Sequence, residues 1–117
     1  MWFRKKYEIT MNRVHDRIKI REEAETLELT VDGDSMRMVA GLSKAWAQIQ
    51  ALDEESPVEE WQEKAMLLAT AIFGKPQAEK LMEFYAQDPS CVISVCGQYF
   101  KERLAGKIAD AQKKMKV

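Results

Sequence analysis

Cys91 and Cys96 are the only cysteines in the chain, and both fall in DPSCVISVCGQYF, residues 88–100. A thiol pair can form a disulfide, run redox exchange or hold zinc, and each task needs its own spacing. On a helix this separation turns the two side chains about 140° apart. On a strand an odd separation sets them on opposite faces. Neither arrangement lets them pair with each other, and the CxxC spacing of redox and zinc sites is missing. Zinc would need further ligands, yet the single histidine, His15, lies in a distant segment. Both thiols therefore read as small apolar spacers. Cys91, close to a helix start that lowers thiol pKa, is expected to be the more reactive if exposed.

The other chemistry-bearing groups give the same answer. His15, beside Asp16, could act as a general base, but no motif places a serine or cysteine nucleophile near it, so a solvated histidine is expected. Glu22, Glu23, Glu25 and Glu28 crowd one stretch. Paired carboxylates that cleave glycosides need a cleft and an apolar setting for the acid. Here they alternate with core residues and should face water. Asp32-Gly33-Asp34 has the composition of a calcium loop, but its glycine is at the wrong offset and no bidentate glutamate follows. It reads as a turn with Gly33 at positive φ, followed by a helix cap. Phe73-Gly74-Lys75 lacks Walker spacing. The expectation is a protein that is not an enzyme, with no metal and no cofactor.

The elements that would position these residues follow from periodicity. At 117 residues the chain fits one domain with one core. Its hydrophobic fraction of 46% is too high for a disordered chain. Residues 1–8, with Trp2, Phe3 and Tyr7 around Arg4, Lys5 and Lys6, form an arm. Residues 9–32 read as an antiparallel β-hairpin or small meander, because Ile18 and Ile20, then Leu27, Leu29 and Val31, alternate with polar residues. Residues 7–14 are a candidate third strand.

Residues 34–115 read as about four helices. The first carries the stripe Met36, Val39, Leu42, Trp46, Ile49 and Leu52. Ser56-Pro57-Val58-Glu59 reads as a capping box that opens the second, whose inward residues are Val58, Trp61, Ala65, Leu68 and Ile72. Gly74 closes that helix as a left-handed cap. Ala78, Leu81, Met82 and Tyr85 form a short third helix. Asp88-Pro89 opens the last, where Val92, Cys96, Tyr99, Phe100 and Leu104 keep helical spacing. Gly97 costs about 1 kcal/mol in a helix interior and is read as marking a close helix crossing. This last helix is expected to be the central buried one. The fold class is α+β and mostly helical.

Net charge is −1, yet it is distributed in blocks: +5 over residues 1–21, −10 over 22–63 and +4 over 64–117. Opposite blocks are expected to meet within one molecule or between identical subunits. The acidic block argues against nucleic acid, although Arg4, Lys5, Lys6, Arg13, Arg17, Lys19 and Arg21 would form its contact surface. No apolar run is long enough for a membrane span. MWFRKKYEI has no signal-peptide core. A cytoplasmic location is expected. Three tryptophans and seven methionines are many for this length. Trp2, Phe3, Tyr7, Met38, Trp46 and Trp61 are the candidate partner-binding residues, since aromatics and Met are enriched at interfaces.

Three segments carry a family resemblance: VDGDSMRMVAGLSKA (31–45), LLATAIFGKPQAEKLMEFY (67–85) and DPSCVISVCGQYFKERLAGKIADAQKK (88–114). They resemble a small protein of phage and prophage tail-gene clusters, similar in size and layout to the tail assembly chaperones of long-tailed phages. The resemblance implies a short β element followed by helices, a homo-oligomer in the bacterial host cell, and binding to a tape-measure or tail-tube protein. It carries no catalytic residue over. A structural virion subunit, of the tail or connector, is one alternative; a small nucleic-acid-binding regulator is another.

Overall fold

A computed structural model describes residues 13–106 and Ala109. Two strands, β1 (Arg13–Glu22) and β2 (Glu25–Asp34), form an antiparallel hairpin in which Ile18 faces Leu29 and Ile20 faces Leu27. Four helices follow: α1 (Ser35–Gln50), α2 (Val58–Phe73), α3 (Lys75–Phe84) and α4 (Pro89–Tyr99). The last runs on into a π-helical turn, Phe100–Leu104. The fold is α+β, as the periodicity implies. The arm and residues 9–12 of the expected β segment lie outside the described residues, as do the C-terminal positions 110–117.

The hairpin forms because period-two alternation gives it one apolar face. Val14, Leu29 and Val31 are buried, and Ile18, Ile20 and Leu27 pack partly against the same core. A two-residue loop, Glu23-Ala24, joins the strands with Glu23 at φ +47. The first position of a primed hairpin turn needs a positive φ, and Gly, Asn or Asp usually supplies it.

Gly33 does not turn the chain. It stays within β2, and a Cβ there would come within 2.9 Å of Met38 Cε, so the glycine makes room for that methionine. Asp34 caps α1 by accepting a hydrogen bond from the Met36 N–H at 2.9 Å. Ser35 beside it is fully buried, and its hydroxyl has no partner among the described residues.

The buried stripe of α1 is Met38, Ala45 and Ile49, with Leu42 half-buried. It differs from the expected one, because Met36 and Trp46 remain about two-fifths exposed, at 40% and 41%. Small Ala45 faces the core because Gly41 brings α1 close to α2, with Ala71 Cβ only 3.2 Å from where a Gly41 Cβ would sit. The close crossing expected at Gly97 is thus at Gly41.

The central helix is α2, not α4. It packs on α1, α3, α4 and β2 and buries Ala65, Leu68, Ala69, Ile72 and Phe73. Val58 is exposed, contrary to its expected inward position. The expected capping box is also absent: α2 starts at Val58 with no side-chain cap. Ser56 Oγ instead accepts from the Asp53 N–H at 3.0 Å, so the preceding loop takes the serine that the cap would need. Gly74 ends α2 at φ +84, ψ +156, a glycine-favoured conformation rather than the left-handed helical one.

Asp88 caps α4 as its sequence implies, accepting from the Ser90 N–H at 3.0 Å and the Ser90 hydroxyl at 2.7 Å. Tyr99 and Leu104 are both buried. In an α-helix they would point about 140° apart. The π turn, closed by the Ala105 N–H on the Phe100 carbonyl, stacks them on one face.

Candidate protein-binding groove

Helices α1 and α4 flank α2 without packing closely on each other. A groove runs between them. Leu42 and Trp46 from α1 form one wall, Cys96, Gly97 and Phe100 the other, and Leu68 of α2 lies between. This part encloses about 350 Å³. Beyond Trp46 the groove continues past Ile49, Val58, Trp61 and Ile93. Among the described residues nothing lies within 4 Å of a Cβ built on Gly97, so that glycine leaves a notch in the α4 wall. The α4 wall spans Pro89 to Phe100, about three helical turns. Such a length matches an amphipathic helix anchored at i, i+3/i+4 and i+7. Trp46 and Val58 leave large apolar surface exposed beside this groove.

Of the six candidate partner-binding residues, Trp46 lines both parts of the groove and Trp61 its second part. Met38 is 7% exposed and belongs to the core under Gly33, which takes it off the accessible surface. Trp2, Phe3 and Tyr7 lie outside the described residues. Sequence reading did not single out Leu42, Gly97 and Phe100 as binding residues. The available signal was the costly glycine of α4, which marks open space.

A second feature ties the hairpin to the helices. Asp16 sits on the inner face of β1, its side chain only 14% exposed. Its carboxylate accepts from the Tyr99 hydroxyl at 2.8 Å, Arg103 Nε at 3.1 Å and Arg103 Nη2 at 2.8 Å. Burial, and then the Asp16 carboxylate, push the Tyr99 phenol well above its ordinary range, while hydrogen bonding to Asp16 strengthens the Arg103 charge. Nearer the loop, the Tyr85 hydroxyl donates to Glu22 at 2.9 Å, and burial first, then Glu22, raise its pKa to about 12. Gln77 of α3 completes the attachment. Its amide donates to the Thr30 carbonyl at 2.6 Å and accepts from the Thr30 N–H at 2.8 Å.

The thiols, the histidine and the clustered carboxylates are scattered. Cys96 is buried, and burial raises its pKa to about 12. Cys91 is half-buried with its thiol 3.5 Å from Asp88 Oδ2; desolvation and then Asp88 raise its pKa. This corrects the expectation of a lowered value: desolvation first, and then the capping carboxylate, disfavour the thiolate. His15 is exposed on the outer face of β1, 3.7 Å from Asp32. Arg13 hydrogen-bonds Asp32 at 3.0 Å and, more than His15, holds that carboxyl below its ordinary range. Glu22, Glu23, Glu25 and Glu28 all face water. Among the described residues, no three His, Cys, Asp or Glu side chains gather where they could hold a metal ion, and no helix is long and apolar enough to cross a membrane.

Comparison with known proteins finds no matching family model, no similar curated protein and no similar solved structure.

Proposed function

We propose that this chain is a non-enzymatic tail assembly chaperone or accessory tail protein of a phage, working in the host cytoplasm by binding the tape-measure or tail-tube protein. The observation that carries the reading is the apolar α1–α4 groove, with Trp46 at its centre and Gly97 open beside it. Tape-measure proteins are long and helical, and a free helix with an apolar stripe aggregates unless that stripe is covered. The groove has the dimensions to cover about three turns of such a stripe. The resemblance of residues 31–45, 67–85 and 88–114 to tail-cluster proteins supplies the biological setting. Self-association, which the same class implies, would let several copies coat one long helix.

The test is co-expression with the tape-measure protein encoded in the same gene cluster. Wild-type chain should keep that protein soluble and co-purify with it, and Trp46→Glu should do neither while remaining folded. Equal solubility of the tape-measure protein with and without the chain would refute the proposal. Mass spectrometry of purified particles separates the chaperone from a structural virion subunit: a chaperone is absent from mature particles, and a subunit is present in many copies.

A further inference from the structure

We propose that the free edge of β1 is a strand-addition site for an extended acidic segment of a partner protein, in which acidic residues alternate with apolar ones. The inference concerns a different surface from the α1–α4 groove and does not depend on it. Its starting point is the direction of the backbone groups. Gln77 engages both the N–H and the C=O of Thr30, so those groups point away from β1. Thr30 faces Arg17 in the register. Arg17 and Thr30 are therefore a non-hydrogen-bonded pair, and the N–H and C=O of Arg17 point away from β2. Alternation sends those of Lys19 and Arg21 the same way. Three consecutive sets of donors and acceptors line an edge with which no other described residue pairs.

The space beside that edge is a cleft of about 590 Å³ between β1 and the Tyr85, Val95 and Tyr99 side of the helices. An added strand would lie in this cleft. Its alternate side chains would fall inward beside Ile18, Ile20 and Val95, which are half-buried, and should be apolar. The others would lie outward beside Arg17, Lys19 and Arg21, all exposed. Among the described residues, none of these three has an ion pair; the pairs formed are Arg13–Asp32, Lys64–Glu63 and Arg103–Asp16. Acidic residues on the outward face of the added strand would meet these cations directly.

The same charges exclude a second copy through this edge. Antiparallel pairing of β1 with another β1 would set Arg17, Lys19 and Arg21 against the same cations, a common guard against edge-to-edge association. Nucleic acid is disfavoured because Glu28 and Asp32 stand on the same outer face, opposite Lys19 and His15 in the register. Main-chain pairing would give the site its affinity and the alternating side chains its selectivity.

A ready probe is the synthetic peptide ETLELTVD, this chain's own residues 25–32, which has the required alternation. It would be titrated into the full-length, isotope-labelled protein, with amide exchange read by NMR. The expected result is saturable binding that slows exchange at Arg17, Lys19 and Arg21 by about tenfold or more, as new ladder bonds would. Arg17→Glu together with Arg21→Glu, both on the solvent face, should weaken binding by about tenfold or more with the amide spectrum otherwise intact. No binding at millimolar peptide would overturn the proposal. So would binding without protection at those three amides, as when the peptide displaces β2 instead. A DNA duplex that binds the same residues more tightly than the peptide, or protection arising from self-association without peptide, would also overturn it.

Discussion

The residue on which the hairpin's attachment turns is Asp16. Its inward position looks like an error of alternation until its three hydrogen bonds to Tyr99 and Arg103 are seen. Hydrogen bonds to a charged group are worth about 1.5–3 kcal/mol, and half-exposed Arg103 is partly screened. Asp16→Ala is expected to cost about 1–3 kcal/mol in urea unfolding, and a cycle with Tyr99→Phe should show positive coupling. Thiol reactivity follows burial: in the folded protein iodoacetamide should modify Cys91 slowly at neutral pH and leave Cys96 untouched until denaturant is added, as read by peptide mass spectrometry. Tyr85 sets an alkaline limit. Its folded pKa of about 12 lies above the ordinary 10. Its contribution to stability is therefore complete below pH 10 and is lost as pH rises through about 12. Absorbance at 295 nm should show Tyr85 ionising near pH 12 and Tyr99 later, and Tyr85→Phe should flatten the fall in stability over that window. None of these partnerships was legible in the sequence, because each joins positions 63 to 87 residues apart.

At the scale of elements, local signals were legible wherever local physics decides. The alternation of β1 and β2, the Asp34 and Asp88 caps and the stop at Gly74 all depend on neighbouring residues. The misreadings arose where tertiary contacts decided. In α1, Met36 and Trp46 fit a helical stripe as well as Met38 and Ala45 do. The approach of Ala71 to Gly41 selects the second stripe. In the α1–α2 loop, Asp53 claims Ser56, so a capping-box sequence makes no capping box. The hairpin loop is where local chemistry and conformation disagree, since Glu23 holds a positive φ without a glycine. Replacing Glu23 with Gly should raise the unfolding midpoint, by about 0.5–1 kcal/mol in stability, because the relief of backbone strain at this position exceeds the added entropy of the unfolded chain. Thermal or urea unfolding checks it directly.

For the whole molecule, α2 organises the core, and the groove arises because α1 and α4 lie on either side of it without closing over it. That arrangement leaves Trp46 and the Gly97 notch facing outward. Sequence alone offered Trp46 and Trp61 among six candidate partner-binding residues but did not point to the groove, which exists only through the relative placement of three helices. Gly97 gives the central claim a test in which stability and binding move in opposite directions. Among the described residues no atom lies within 4 Å of a Cβ at this position; a leucine there should gain about 0.5–1 kcal/mol of helix stability, while its side chain fills the space proposed for a partner helix. The decisive measurement is calorimetric binding of wild type and Gly97→Leu to the proposed partner, a tape-measure protein, with unfolding curves for both. Our account predicts a more stable variant whose affinity falls at least about tenfold. A variant that is stabilised yet binds as tightly as wild type would contradict it.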